Sequence, residues 1–235
     1  MALPKLVTPE FETVIPSTKE PIKFRPFLVK EEKVLYMALE SGEPKDMKNA
    51  ILSILDSCII TPDIDVNSFA TFDVEYLFLK LRSKSVGEII KVNLKHRNKT
   101  SCVHETEYKL NLDKIQVKFN DDHKDMVQLD NKIGVKMKMP SLDNVLSIQG
   151  DMNIDNIFEL IKHSIVYVFD EENVYDDFTK EELQDFIENI SQEQFNKIQS
   201  FFDTAPKLCE DITWTCKECN ETETIRLEGL QSFFM

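Results

Sequence analysis

The residues of this chain whose types and spacing could do chemistry lie near its C-terminal end. The segment reads Trp214-Thr215-Cys216-Lys217-Glu218-Cys219-Asn220. Two thiols separated by two residues at a tight turn can face one tetrahedral metal ion, and the backbone amides of the turn can hydrogen-bond to the thiolates. Two ligands make only half of a structural metal site. The pattern therefore predicts that the other two ligands come from elsewhere in the chain.

An earlier turn between two predicted strands contains the candidate partners. It runs from His96 to His104 and includes Cys102. Cys102 with His96 would complete a Cys3His site, and His104 is the alternative fourth ligand. We therefore predict structural zinc on Cys216, Cys219, Cys102 and His96. A knuckle without metal is the alternative, because five residues between His96 and Cys102 exceed the usual ligand spacing. A redox CxxC is a third reading, although no βαβ pattern surrounds it.

A catalytic role for this site is not expected. Catalytic zinc keeps an open position for water, whereas a site rich in thiolates is normally closed. The sequence contains no Ser/His/Asp pattern, P-loop, HExxH motif or dinucleotide fingerprint. We predict a non-enzymatic protein with no catalytic residues, no organic cofactor site and no small-molecule substrate. Cys58 and Cys209 are predicted to be buried structural thiols.

The composition of the chain argues against several classes of protein. The chain has 235 residues and a formal charge of −14, which argues against nonspecific binding to nucleic acid. No apolar run approaches the roughly 20 residues of a membrane span, and the N-terminal residues do not resemble a signal peptide. Five cysteines, an odd number, favour a reducing cytoplasm over a secreted disulfide framework.

Hydrophobic periodicity predicts the elements that must position the site. Residues 11–16 and 22–27 alternate and contain prolines, so they predict an N-terminal hairpin at a sheet edge. Helices are predicted at 28–41, 44–58, 73–82, 141–149, 152–169, 179–189 and 191–203. Further strands are predicted at 89–96, 105–110, 114–119, 125–130 and 133–139, with a last hairpin near 210–228.

These elements predict an α+β fold, in which a helical body carries a discontinuous zinc-ribbon-like β module and an N-terminal edge hairpin. The hairpin near 88–110 is expected to pair with the hairpin near 210–228 across a helical insertion. The predicted organisation is an N-terminal hairpin and helical region (1–86), a β-rich module (87–140), an acidic helical region (141–206) and a C-terminal CxxC hairpin that completes the β module (207–235).

Acidic residues are concentrated in one stretch. Ten acidic residues and one basic residue lie between Asp170 and Glu193. We predict a solvated helical face there, with a docking site for a basic partner as the alternative.

Several separated motifs resemble the baseplate hub protein family of T4-like contractile-tailed bacteriophages. They read MALPKL at 1–6, FETVIPST at 11–18, FRPFLVKEEK at 24–33, DVEYLFL at 73–79, LRSKSVGE at 81–88 and EGLQSFF at 228–234. The resemblance is densest over residues 1–95, returns at 205–235, and is loose in the acidic middle. Members of the family are hub subunits or promote hub formation, so the resemblance implies the other hub proteins and the tape measure protein as partners.

The resemblance implies no enzymatic activity and leaves two roles open. One is a hub subunit of the virion tail baseplate. The other is an assembly chaperone in the cytoplasm of the infected host that is absent from mature particles. The predicted partner-binding residues are Phe24, Arg25, Phe27, Phe233 and Phe234, which lie in segments expected to be exposed.

A function of another class is a zinc-ribbon regulator that binds nucleic acid or a polymerase. It would need a basic face on the ribbon. Lys91, Lys95, Arg97 and Lys99 cluster on the first hairpin, but Glu218, Glu221 and Glu223 oppose them on the second.

Overall fold

The elements of the chain are distributed over two units, each assembled from separated segments. The computed structural model describes residues 7–96, 102–147 and 154–233. The first unit contains residues 1–66, 72–118 and 207–235, and the second contains 67–71 and 119–206. Helices and small antiparallel sheets occur together, so the fold is α+β as predicted. Among the described residues, none of the helices is both long enough and apolar enough to span a membrane.

The first unit begins with the predicted N-terminal hairpin. Strands β1 (Phe11–Val14) and β2 (Pro21–Phe24) pair antiparallel as a two-stranded sheet. Three helices follow, which are α1 (Val29–Ser41), α2 (Pro44–Cys58) and α3 (Thr71–Val86). Pro44 stands at the first position of α2, where a missing N–H costs nothing. Buried apolar side chains of the hairpin, α2 and α3 line one small interior space: Ile22, Phe24, Leu55, Cys58, Leu77 and Leu81.

Two sheets of the first unit carry the candidate ligands. Strands β3 (Ile89–Leu94) and β4 (Thr106–Asn111) form one hairpin. Strand β10 (Lys207–Thr215) lies between β11 (Thr222–Glu228) and the short β5 (Val117–Lys118) in a three-stranded sheet.

The expectation that the two hairpins pair with each other was wrong for the described residues. The other edge of β10 is bonded to β5 at Lys207 and Leu208, and β3 and β4 form a sheet of their own. The hairpins therefore meet through the side chains at their tips. A 3₁₀ turn at Leu230–Phe233 follows β11, and the Leu230 N–H lies 3.3 Å from a carboxylate oxygen of Glu75 on α3.

The second unit packs helices against a four-stranded antiparallel sheet. The sheet has the order β6 (Met126–Gln128), β7 (Gly134–Met137), β8 (Ile165–Phe169) and β9 (Val174–Tyr175). The helices are α4 (Leu142–Ser147), α5 (Ile154–Ser164), α6 (Lys180–Glu188) and α7 (Gln192–Asp203). Their shared core consists of Leu129, Val135, Met137, Ile161, Ile165, Leu183, Ile187, Ile198 and Phe201.

Capping explains where two helices of the second unit begin. Thr179 and Glu182 exchange side-chain-to-backbone hydrogen bonds at the start of α6, and Ser191 and Gln194 do the same at α7. These are the two capping boxes that the sequence predicts.

The prediction of one helix over 152–169 was wrong at its C-terminal end. The helix α5 ends at Ser164, and Ile165–Phe169 continues directly as strand β8. The five residues are IVYVF, which are β-branched or aromatic and suit a strand. Antiparallel pairing with β7 satisfies their backbone and overrides the helical period.

Candidate metal centre

The four predicted ligands come together at the tips of the two hairpins. The donor atoms of His96, Cys102, Cys216 and Cys219 all lie within 4.8 Å of one another. His96 follows β3, Cys102 precedes β4, and the two remaining cysteines lie in the turn between β10 and β11. Ligands that are far apart in sequence therefore converge because each stands at the end of a hairpin.

The turn that carries Cys216 and Cys219 is tight and hydrogen-bonded. The Cys216 N–H donates to the Glu221 carbonyl at 2.9 Å, and the Asn220 N–H donates to the Cys216 carbonyl at 3.0 Å. Asn220 has a φ of 58°, a left-handed conformation that asparagine tolerates better than most residues. The turn thus holds both thiols on the same side.

Two of the distances between donor atoms are close to those expected around a tetrahedral metal. The Sγ atoms of Cys102 and Cys216 are 3.7 Å apart, and Nε2 of His96 is 3.2 Å from Sγ of Cys219. Ligands bound to tetrahedral zinc at about 2.3 Å for sulfur and about 2.0 Å for nitrogen lie roughly 3.5–3.8 Å from each other. The sulfur pair is far from the about 2.05 Å of a disulfide. The geometry is therefore that of a cluster of ligands with free thiols.

A carboxylate orients the histidine. Nδ1 of His96 is 2.8 Å from Glu223 on β11, while Nε2 faces the thiols. A histidine that binds metal usually donates its other ring N–H to such a carboxylate, which fixes the tautomer and the ring orientation. Trp214 packs its ring 5.0 Å from the imidazole and is 3% exposed. Glu223 and Trp214 are thus parts of the site that the sequence reasoning missed.

The electrostatics of the cluster favour a cation. Backbone N–H groups of Cys219 and Glu218, together with His96, lower the pKa of Cys216 to about 6. The His104 amide lowers the pKa of Cys102, but burial and the neighbouring thiols raise it to about 11. The Cys216 thiolate therefore forms readily, and its negative charge disfavours a second thiolate at Cys102. A divalent cation would remove that opposition, because thiolates that coordinate metal are deprotonated.

The same cluster raises the affinity of His96 for a proton. Hydrogen bonds to Glu223 and to Cys216 raise the pKa of His96 from 6.5 to about 9, and Cys219 adds to the effect. A protonated His96 places a single positive charge beside the thiolates, where a divalent metal ion would otherwise bind.

The cluster is largely closed to solvent. Cys216 is 0% exposed, Cys102 is 8% exposed and the His96 side chain is 3% exposed, while Cys219 is partly buried. His104, the alternative ligand, lies outside the cluster with its side chain 40% exposed, and its Nδ1 is 3.8 Å from Glu218. A closed set of donors is typical of structural metal sites, since catalytic sites keep a position open for water.

The predicted partner-binding residues are less accessible than expected. Phe24 and Phe233 are 5% and 1% exposed, so the prediction that their segments are exposed was wrong for both. Their rings are apolar enough to complete the core of the first unit, which the sequence could not distinguish from a contact surface. Phe27 is partly buried and donates its N–H to the Ser85 hydroxyl. Phe234 lies outside the described residues.

Arg25 has internal partners instead of an open face. Its guanidinium forms a 2.9 Å ion pair with Glu31 on α1 and donates to the Ser57 carbonyl on α2. Glu31 in turn accepts the Leu28 N–H at 2.8 Å. Arg25 therefore joins the N-terminal end of α1 to the C-terminal end of α2.

Comparison with known proteins identifies the family. The chain has no match among curated proteins or among solved structures. The family model described as T4 bacteriophage base plate protein matches residues 8–235. The match extends over both hairpins with the metal-ligand cluster and over the acidic second unit, where the motif resemblance was loose. The chain belongs to the family of T4 bacteriophage base plate proteins.

Proposed function

We propose that this chain is a non-enzymatic component of the central hub of the phage baseplate, or a factor that acts in hub assembly. The observation that carries the proposal is the family match over residues 8–235. The motifs that resemble hub proteins support a role at the centre of the baseplate. Its partners in this role are other hub proteins and the tape measure protein, which it meets in the host cytoplasm during assembly.

A structural role also accounts for the metal-ligand cluster. The ligand set contains three thiols and one imidazole, and it is largely buried, with Cys219 partly exposed. We propose that it binds one zinc ion, which ties the β10–β11 hairpin to the β3–β4 hairpin. Zinc suits this set because it favours tetrahedral sulfur and nitrogen ligands and needs no redox partner. The module then works as a discontinuous zinc ribbon whose halves come from distant parts of the chain.

Metal analysis of the purified protein tests the zinc proposal. We expect about one zinc per chain in the wild type and none in the Cys216→Ser variant. The Cys209→Ala variant is the matched control, because Cys209 is buried but lies outside the cluster. The sole tryptophan of the chain, Trp214, provides a second readout, since its emission should change when a chelator removes the metal. A wild-type protein without zinc would refute the proposal.

An acidic groove in the second unit supports binding of a basic amphipathic segment, such as one from the tape measure protein. Its apolar wall comes from Leu129, Ile133, Phe186 and Ile190. The carboxylates of Glu182 and Asp185 line the same groove. A helix with one apolar and one basic face would bury the first against the wall and place the second near the carboxylates.

A pull-down from infected cells tests these partners. We expect the wild type to recover hub proteins and the tape measure protein, and the Asp185→Lys variant to lose the tape measure protein. Glu188→Lys is the control, because Glu188 is exposed on the same helix but does not line the groove. Equal recovery by both variants would rule out the groove, and recovery of no hub or tape measure protein would count against the hub role.

Mass spectrometry of purified virions separates the two forms of the proposal. A hub subunit should be present at a fixed copy number, whereas an assembly chaperone should be absent.

The alternative function, a zinc-ribbon regulator that binds nucleic acid or a polymerase, receives no support from the described part of the first hairpin. Lys91 is paired with Glu107 at 3.0 Å, Lys95 is exposed, and Arg97 and Lys99 lie outside the described residues. A salt-dependent gel shift with DNA would revive it.

A further inference from the structure

The outward face of α1 carries more apolar surface than a solvated helix of a charged chain requires. Val29 is 80% exposed, Tyr36 is 59% exposed and Met37 is 60% exposed. The opposite side of the helix is the one that packs on the chain, because its buried residues are Glu31 and Ala38. Exposed apolar side chains that share one face of a helix mark a surface that a partner can cover. We therefore expect a partner to cover the outward face of α1.

Two charged residues on this face suggest what the partner is. Lys33 and Glu40 are both exposed and stand at positions that share the face with Tyr36 and Met37. Lys33 is three residues before Tyr36, and Glu40 is three residues after Met37. A second copy of α1, laid antiparallel across the first with the two-fold axis beside Tyr36 and Met37, would place each Lys33 opposite the other copy's Glu40. The face is thus complementary to itself in charge as well as in apolar surface.

We propose that this face of α1, defined by Val29, Lys33, Tyr36, Met37 and Glu40, is an isologous interface between two copies of the chain. A two-fold interface presents the same patch from each side, so every contact is made twice. The net charge of −14 opposes self-association elsewhere on the surface, whereas Lys33 and Glu40 cancel within this patch. The inference does not depend on the proposed hub function.

The size of the patch sets the expected affinity. The helix has 13 residues, and only its outer face takes part. Such a contact falls short of the roughly 1,600 Å² that standard interfaces bury, so we expect a weak dimer with a Kd on the order of 10–100 µM. An interface of this strength would form mainly where local concentration is high.

Sedimentation equilibrium of the full chain with charge-exchanged variants tests the proposal. The measurements use the wild type, Lys33→Glu, Glu40→Lys, the double exchange, and an equimolar mixture of the two single variants. Each single variant turns two attractive pairs into two repulsive ones, so we expect at least about tenfold weaker self-association. The double exchange should restore the wild-type affinity to within about threefold, because it reverses both partners of each pair. In the mixture, the two variants should associate with each other and not with themselves.

Each outcome decides for or against the interface. Circular dichroism and metal content of every variant first establish that the fold is unchanged, as expected for exposed positions. A wild type that stays monomeric at about 300 µM would overturn the proposal and leave the face to a different protein. Self-association that ignores both single exchanges, or that neither the double exchange nor the mixture restores, would also overturn it.

Discussion

At the scale of single residues, the histidine of the cluster is the ligand whose orientation is most fully defined. His96 has Nε2 toward the thiols and Nδ1 toward Glu223, so both ring nitrogens have a partner. The His104 side chain is 40% exposed, and its Nδ1 lies 3.8 Å from Glu218. The two histidines therefore differ in role although they flank the same cysteine in sequence.

This difference predicts opposite effects of two matched substitutions. His96→Ala should weaken zinc binding by at least about 100-fold, because it removes one ligand of four. His104→Ala should leave zinc content and thermal stability unchanged, since His104 is outside the cluster. Competition with a chromogenic chelator measures both affinities. Loss of zinc in His104→Ala with retention in His96→Ala would assign the fourth ligand the other way.

The sequence alone left the choice between His96 and His104 open, although it contained a signal. Val92 and Leu94 are buried at alternate positions of β3, and His96 continues the same alternation. The sequence contained no signal for the contact between Glu223 and His96, because that contact depends on the register of β10 with β11 and on where β3 ends. Nothing in the sequence distinguishes a carboxylate that orients a ligand from the many that are only solvated.

At the scale of elements, the three-stranded sheet is joined by charges as well as by backbone pairing. Asp211 on β10 lies directly opposite Arg226 on β11, and Lys118 on β5 approaches it from the other side. Hydrogen bonds from Arg226 and then Lys118 lower the pKa of Asp211 from 3.8 to about 2. One carboxylate on the central strand thus contacts side chains from both neighbouring strands.

The lowered pKa of Asp211 predicts a pH dependence with a definite sign. Because the pKa is lower in the folded chain, this pairing stabilises the fold above about pH 4 and is lost as the pH falls through about 2. The Arg226→Gln variant should raise the pKa of Asp211 toward its usual value, which carboxyl NMR titration can follow. Lys91→Gln, which breaks an ion pair on another hairpin, should leave it unchanged. An Asp211 pKa near 4 in the wild type would contradict the proposed cause.

In the second unit, one glycine is required by a cross-strand aromatic ring. Gly134 on β7 is paired with Phe169 on β8, and a Cβ at Gly134 would lie 2.3 Å from Cζ of that ring. The ring must therefore swing away if any side chain is added. The ring covers the glycine in the manner of an aromatic residue that compensates for a missing side chain.

We expect Gly134→Ala to lower the free energy of unfolding by about 1–2 kcal/mol, because the Phe169 ring loses its packing place. Urea unfolding of Gly134→Ala, Phe169→Ala and the double variant measures the coupling. In the Phe169→Ala background the added methyl has no ring to displace and should cost little. The same cost in both backgrounds would show that the ring is not the cause.

The elements were easier to predict than their pairing. The helix α2 follows its apolar period and its Pro44 start closely, and the capping boxes located α6 and α7. The stretch Ile165–Phe169 was misassigned because apolar residues there fit a buried helix or a strand equally well. Its strand conformation depends on β7, which lies about thirty residues earlier in the chain.

At the scale of the whole molecule, the first unit depends on its last segment. Residues 207–235 supply two of the four candidate metal ligands, the strand partner of β5 and the buried Phe233. The second unit draws on residues 67–71 and 119–206 and has a core of its own. The burial of Phe24 and Phe233 also depends on the assembled unit, because the residues next to them in sequence are compatible with either a core or a surface position.

A chain that stops after Pro206 should therefore lose one unit and keep the other. We expect no zinc in the truncated protein and loss of amide protection over residues 7–96 and 102–118 in hydrogen-exchange mass spectrometry. Amides in 119–147 and 154–206 should stay protected, because that core is complete. Full protection of the β3–β4 hairpin in the truncated chain would contradict the dependence on residues 207–235.

The distance in sequence between the two halves of the metal-ligand cluster has a consequence for biosynthesis. Cys102 and Cys216 are separated by 114 positions. At translation rates of about 5–20 residues per second, roughly 6–23 seconds pass between the synthesis of the two residues. During that interval the nascent chain offers a metal only two of the four donors. Residues 119–206 leave the ribosome before the last donors, so this insertion can fold while the surrounding unit is still waiting for its second half. We therefore expect capture of the proposed metal to be among the last steps of maturation, which would mark the chains whose C-terminal hairpin has docked.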